Sequence, residues 1–133
     1  MCEDNADDAK LVKLAFRRAG LTEPIYEVSG AEEAIEYLKG EGQFGDREKF
    51  PIPRLVLTDS RMAGIGGWEL VRWIRGQRAL KGVSVVVFSG SDDPGDARRA
   101  VEFGADAFER KPNDFDDFVL VVRKIGQFWL RGE

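Results

Sequence analysis

Histidine is absent from this chain of 133 residues, and cysteine occurs once. Without histidine the chain cannot build a serine–histidine–aspartate or cysteine–histidine active site, a histidine zinc site, or a phosphohistidine of its own. The single cysteine, Cys2, excludes an internal disulfide and agrees with the reducing conditions of the cytoplasm, where we expect the protein to be. Its chemistry must therefore depend on carboxylates, lysine, hydroxyls and hard cations.

Long apolar runs and a strong excess of one charge are also missing. No stretch approaches the length of a membrane span, and no charged and then apolar leader is present. The net charge of −4 is mild and has the wrong sign for a nucleic-acid surface. We therefore expect residues 1–133 to form one globular domain whose partners are neither membranes nor nucleic acids.

Helical and β-rich segments alternate along the sequence. Apolar residues at helical spacing predict five helices, over residues 6–19, 30–39, 67–77, 93–104 and 115–130. Short β-rich runs predict four strands, over residues 24–29, 55–58, 83–88 and 107–108. Residues 40–53 are a predicted polar loop, with Phe44 and Phe50 folded back onto the domain. Such alternation is typical of an α/β fold with a parallel sheet.

Asp59 is the most informative residue, because it directly follows the apolar strand 55–58 and precedes a loop of small residues. The carboxyl ends of parallel strands are where open α/β sheets bind their ligands. Glu3 and Asp4 precede the first helix, and Lys111 follows the last short strand. Clustered carboxylates repel one another unless a hard cation such as Mg²⁺ lies among them. The pattern predicts a magnesium-dependent site that accepts a phosphoryl group on Asp59, with Lys111 neutralising phosphoryl oxygens.

Four motifs, "CEDN", "LVLTDSRM", "VVVFSG" and "ERKP", together resemble those of response-regulator receiver domains, over essentially the whole chain. The resemblance implies a flavodoxin-like, doubly wound parallel sheet in the order 2-1-3-4-5, with helices on both faces. The first strand of that fold is nearly absent, since only Met1 and Cys2 precede the acids. The loop "GEGQFGDREKFPIP" and the terminal "FWL" resemble single-domain receivers that work with bacterial phytochrome-type kinases.

The resemblance implies a role for each residue at the phosphoryl group. Asp59 would be the phosphoacceptor, and Ser89 and Lys111 would contact the phosphoryl oxygens. The bond from Lys111 to Pro112 would be cis. Ser89 and Phe108 would form the switch, in which Phe108 turns inward when Ser89 moves toward the phosphoryl group.

The same resemblance implies a magnesium site. Its ligands would be Glu3, Asp4, Asp59 and the backbone carbonyl of Arg61, with Asp4 a more direct ligand than Glu3. Ala63 stands where the family usually has proline, which loosens the loop after Asp59 without removing a ligand.

These inferences predict a phosphorylatable signalling switch rather than a metabolic enzyme, one that catalyses only its own phosphorylation and dephosphorylation. The donor would be a phosphohistidine of a sensor histidine kinase or phosphotransfer protein, and the output would pass to a downstream protein by direct contact. One alternative is a non-phosphorylated pseudo-receiver that acts as an interaction module. Another is an aspartyl-nucleophile phosphatase, although Arg61 stands where such enzymes carry a second acid. Trp129 either contributes to a homodimer patch or folds back onto its own domain.

Overall fold

The computed structural model describes residues 1–62, 64 and 66–130. Helices and strands alternate along this part of the chain. The α-helices are α1 (Ala6–Arg18), α2 (Ala31–Lys39), α3 (Gly67–Arg75), α4 (Asp96–Phe103) and α5 (Phe115–Ile125). The β-strands are β1 (Leu55–Thr58), β2 (Ser84–Ser89) and β3 (Ala107–Arg110). None of the described helices is long and apolar enough to cross a membrane.

The strands form one parallel sheet in the order β1-β2-β3, and Cys2 extends it by a single residue. Cys2 makes isolated parallel bridges to Thr58 on one side and to Val28 on the other. Its N–H donates to the Leu57 carbonyl at 2.8 Å, and its carbonyl accepts the Asp59 N–H at 3.2 Å. Cys2 thus lies where the first strand of the predicted 2-1-3-4-5 order belongs, and Val28 lies in the second position.

The strand predicted over residues 24–29 does not form, so the prediction of four full strands was wrong by one. Only Val28 pairs there: its N–H donates to the Met1 carbonyl at 2.9 Å, and its carbonyl accepts the Glu3 N–H at 3.1 Å. A parallel strand is held by a ladder of hydrogen bonds to its neighbour. Residues 1–3 offer too short a neighbour for such a ladder, so the segment remains extended without regular pairing.

Helices cover both faces of the sheet, which confirms the predicted α/β fold class. On one face α1 and α5 pack against Val86 and Phe88 of β2, and on the other α2, α3 and α4 pack against Val85 and Val87. Successive residues of a strand point to opposite faces. Because both faces are covered, β2 is buried nearly throughout, as its uninterrupted apolar run predicts.

Two helix boundaries differ from the predictions by three residues or more. The fourth helix begins at Asp96 rather than at Asp93, because the Asp93 side chain accepts the Gly95 N–H at 2.9 Å and holds a turn there. The last α-helix ends at Ile125 and continues as a π-helical turn over Gly126–Leu130.

The loop between α2 and β1 is packed through its aromatic residues, as predicted. The rings of Phe44 and Phe50 lie 5.2 Å apart, and both contact the ring of Tyr37, at 5.1 and 5.9 Å between centroids. The Arg47 guanidinium donates to the carbonyls of Tyr37 and Leu38, both at 2.8 Å, and to that of Phe50 at 3.1 Å. The loop is therefore bound to the end of α2.

Candidate functional site

Asp59 directly follows β1 and Lys111 directly follows β3, so both lie at the carboxyl edge of the sheet. The Lys111 Nζ is 3.0 Å from Asp59 Oδ2, 2.8 Å from Glu3 Oε1 and 3.5 Å from Asp8 Oδ2. Only 9% of the Lys111 side chain is exposed. One nearly enclosed ammonium therefore lies among three carboxylates from three separate segments of the chain.

Glu3, Asp8 and Asp59 form the acidic part of this site. Each places a carboxylate oxygen within 4.8 Å of those of the other two. Glu3 is buried, whereas Asp8 and Asp59 are half-buried. Asp4, predicted as a direct ligand, is exposed and lies outside this group; its role as a ligand stays a prediction.

Asp8 was not among the predicted ligands. It lies in the first turn of α1, where acidic residues are common because they suit the positive end of the helix dipole. The available signal was its position in the first turn of the helix that directly follows Glu3 and Asp4.

Burial and charge act in opposite directions at this site. Burial raises the pKa of Glu3, although the Lys111 ammonium beside it acts to lower that pKa. For Lys111, burial alone would lower the pKa, but the hydrogen bond with Glu3 and the charge of Asp59 raise it overall. Lys111 is therefore a positively charged ammonium at neutral pH, as its proposed contact with anionic oxygens requires.

The loop after Asp59 is held close to the site. The Arg61 N–H donates to Asp59 Oδ1 at 3.2 Å, and the exposed Arg61 guanidinium is 3.9 Å from Asp93 Oδ2. At Gly67, a Cβ would lie 1.9 Å from the Asp59 carbonyl oxygen, so only glycine allows α3 to begin so near the carboxylate. Ala63, which we expected to loosen this loop, lies outside the described residues.

Ser89 ends β2 at the same edge of the sheet as Asp59 and Lys111. Its Oγ accepts the Ser91 N–H at 3.1 Å and lies 2.7 Å from Ser60 Oγ. The Ser89 carbonyl accepts the Lys111 N–H at 2.8 Å, which holds the two strand ends together. Ser60 was missed by the sequence analysis, because nothing distinguishes it from an ordinary loop serine.

Phe108, the predicted switch residue, is half-buried and lies near-parallel to Trp68, with 6.5 Å between ring centroids and 19° between planes. Trp68 in turn contacts Phe103 at 5.8 Å, and the Arg99 guanidinium lies 5.7 Å from the Trp68 ring. A rotation of Phe108 would therefore have to separate it from Trp68. That such a rotation occurs stays a prediction.

Two further expectations concern Pro112 and Trp129. The bond between Lys111 and Pro112 is trans, so the prediction of a cis bond was wrong. The trans form is intrinsically favoured before proline by about 0.5–1 kcal/mol, and the Lys111 ammonium reaches Asp59 without a cis bond.

Trp129 packs against the α1 and α5 side of the core, whereas Phe128 is 67% exposed. The homodimer stays a prediction.

Known proteins of similar sequence and structure share this architecture. A family model for the response regulator receiver domain matches residues 1–123. The probable methanogenesis regulatory protein FilR2 of Methanothrix harundinacea is 34% identical over 131 residues, which cover 98% of this chain and 81% of that protein.

Solved structures agree over nearly the whole chain. The response regulator RPA3017 in red light signaling of R. palustris aligns with a TM-score of 0.91 and 28% identity, over 99% of this chain and 92% of that one. The phosphorylated cyanobacterial phytochrome response regulator RcpA aligns with a TM-score of 0.88 and 26% identity, over the same shares of the two chains. With the fold and the family motifs in agreement, this chain belongs to the response regulator receiver domain family of two-component signalling proteins.

Proposed function

We propose that this receiver is a phosphorylation-dependent signalling switch whose phosphoacceptor is Asp59. The observation that carries the proposal is the contact of Lys111 Nζ with Asp59 Oδ2 at 3.0 Å, beside two further carboxylates. Charged groups that are removed from water cost free energy, so a cluster of one ammonium and three carboxylates favours a functional site over an idle one.

The acidic group fits a hard divalent cation such as Mg²⁺, which prefers carboxylate and carbonyl oxygens. Glu3, Asp8 and Asp59 would hold the ion, with Asp4 and the Arg61 carbonyl as the further ligands that family membership implies. When bound, the ion supplies positive charge to the oxygens of the transferred phosphoryl group.

Asp59 supplies the nucleophile in the proposed transfer. A carboxylate oxygen of Asp59 forms the new bond to phosphorus, and the bond from phosphorus to the donor's histidine nitrogen breaks. The electron pair of that bond leaves with the imidazole, which takes up a proton. Lys111 exchanges its contact with Asp59 for one with a phosphoryl oxygen, and neutralises part of its charge, as in other phosphoryl-transfer sites.

The donor that we propose is a sensor histidine kinase of the phytochrome class, or a phosphotransfer protein that relays its phosphoryl group. The support is the similarity to a phytochrome response regulator and to a response regulator of red-light signalling. The output would pass in the cytoplasm to a downstream protein through the surface formed by α4, β3 and α5. Phe108 of β3 stacks on Trp68 of α3, which contacts Phe103 of α4, so a change at the site can alter that surface.

The test is the intact mass of the protein after incubation with acetyl phosphate, with Mg²⁺ and with a chelator instead. We expect one phosphoryl group to be added in the presence of Mg²⁺ and none with the chelator. Asp59→Asn should abolish the addition, since the asparagine amide is neutral and too weak a nucleophile to attack phosphorus.

The matched control is Asp116→Asn, which alters an exposed acid in the first turn of α5. It should be phosphorylated like the wild type. If the folded wild type gained no phosphoryl group from acetyl phosphate, the proposal would be wrong, and the protein would be an interaction module of the receiver fold.

A further inference from the structure

Ser60 and Ser89 form a buried pair of hydroxyls beside the phosphoacceptor. Ser60 is 2% exposed and Ser89 is 1% exposed, and their Oγ atoms lie 2.7 Å apart. Ser60 directly follows Asp59, while Ser89 ends β2, so the pair joins the phosphoacceptor loop to the neighbouring strand. The backbone of Ser60 is held as well, because its carbonyl accepts the Gly67 N–H at 3.2 Å.

One of the two hydroxyl protons of this pair has no acceptor within the pair. A hydroxyl has one proton and two lone pairs. Ser89 Oγ uses one lone pair to accept the Ser91 N–H at 3.1 Å. The two hydroxyls share one further hydrogen bond, so one of their two protons has no acceptor among the hydrogen bonds of the described residues.

We propose that Ser60 is a positioning residue that donates its proton to Ser89 Oγ and so directs the Ser89 proton to a phosphoryl oxygen on Asp59. This inference rests on the function proposed above. Both lone pairs of Ser89 are then filled, by Ser91 N–H and by Ser60 O–H, and the remaining tetrahedral position carries the proton. With a phosphoryl group on Asp59, the proposed direction gives both protons an acceptor, whereas the reverse bond, from Ser89 to Ser60, would use the proton that the phosphoryl group needs and would leave the Ser60 proton buried without an acceptor.

Removal of the Ser60 hydroxyl should therefore weaken binding of a phosphoryl group without weakening binding of the cation. In Ser60→Ala, Ser89 keeps the Ser91 N–H but has a free lone pair and can rotate its proton away from the site. We expect the affinity for beryllofluoride, an analogue of the phosphoryl group, to fall about fivefold, the size of a typical hydrogen bond. The affinity for Mg²⁺ should be unchanged, because the Ser60 hydroxyl bonds Ser89 and none of the three acids.

The experiment is ¹⁹F NMR of protein-bound beryllofluoride in Mg²⁺, on wild type, Ser60→Ala, Ser89→Ala and the double variant. If Ser60 acts through Ser89, the Ser60 substitution should cost nothing further in the Ser89→Ala background. Ser60→Cys fills the same space with a weak donor and should resemble Ser60→Ala. Mg²⁺ affinity, measured by calorimetry, reports whether the acidic group is intact in each variant.

The results distinguish a failure of the role of Ser60 from a failure of the proposed function. An affinity of Ser60→Ala within about twofold of the wild type would overturn the role of Ser60 alone, on the hydrogen-bond magnitude used above. An equal loss in the Ser89→Ala background would also overturn it, since Ser60 would then act on the fold and not through Ser89. A wild type that binds Mg²⁺ but no beryllofluoride would contradict the proposed function itself, and this inference with it.

Discussion

Lys111 has two roles at the level of the single residue. Its ammonium balances Glu3, Asp8 and Asp59, and it occupies the space among carboxylates that a divalent cation would share. The proximity of Glu3 and Asp59 raises the Lys111 pKa against the effect of burial, so the positive charge is present at physiological pH. Under the proposed function, Lys111 and a bound cation would therefore compete for the negative charge of these carboxylates until a phosphoryl group on Asp59 added more.

Replacement of Lys111 by methionine should tighten the binding of Mg²⁺ to the unphosphorylated protein about tenfold, because a positive charge within a few ångströms of the ion is removed. The same variant should be phosphorylated poorly, since no ammonium neutralises the phosphoryl oxygens. Calorimetric titration with Mg²⁺ measures the first effect. Lys124→Met is the control, because Lys124 is exposed and pairs with Glu109 at 3.1 Å, away from the acids. An unchanged or weaker Mg²⁺ affinity in Lys111→Met would show that the lysine does not oppose the cation.

At the level of the element, the loop between α2 and β1 behaves as part of the core. Phe44 is 5% exposed and its ring contacts both Tyr37 and Phe50. The Tyr37 hydroxyl donates to the Pro51 carbonyl at 2.9 Å, which adds a polar contact across the loop. A loop with this packing holds the start of β1, and thereby the strand that ends at Asp59.

Phe44→Ala should lower the free energy of unfolding by about 3 kcal/mol, because it leaves a cavity in the aromatic cluster. Urea denaturation followed by circular dichroism measures the change. Phe128→Ala is the matched control, since that ring is 67% exposed and its removal leaves no buried cavity. A loss in Phe44→Ala no greater than that in the control would mean that the loop contributes little to stability.

At the level of the whole molecule, the centre of the sheet is its least paired part. An apolar cavity, lined by Tyr26, Val28, Leu55 and Val56 among others, lies beside Met1. The Ser84 N–H donates to the Arg54 carbonyl, so by alternation Leu55 directs its backbone groups away from β2 and toward this cavity, while the Leu57 carbonyl on the same edge already accepts the Cys2 N–H. On the opposite side the Met1 amino group donates to the Tyr26 carbonyl at 2.8 Å. An extended segment before Met1 would thus run between these two edges, parallel to β1.

Four apolar, β-branched residues added before Met1 should therefore raise the melting temperature by at least about 5 °C, since a central strand buries apolar area on both faces. Differential scanning calorimetry measures the shift. A glycine–serine extension of the same length is the control, because it supplies backbone without apolar side chains. If the apolar extension stabilised the protein no more than the control, the cavity would not accept a strand.

Local patterns in the sequence were enough to predict the five helices, β1, β2 and the meeting of Asp59 and Lys111 at one edge of the sheet. The period of the apolar residues distinguishes helix from strand within a short stretch of sequence. Once parallel strands are predicted, their carboxyl ends must lie at the same edge of the sheet. Asp59, Ser89 and Lys111 could therefore be placed together before their distances were known. The family motifs pointed to the same residues independently.

The way in which distant segments of the chain meet became clear from the folded structure. The segment 24–29 was predicted to be a strand but lacks a neighbour long enough to pair with it, and among the described residues Cys2 alone bridges it to β1. Asp8 belongs to the acidic group because the first turn of α1 lies at the edge of the sheet. Ser60, just after β1, contacts Ser89 at the end of the neighbouring strand β2. Strand pairing and side-chain contacts join residues far apart in sequence, so they depend on the packing of the whole chain rather than on the local pattern.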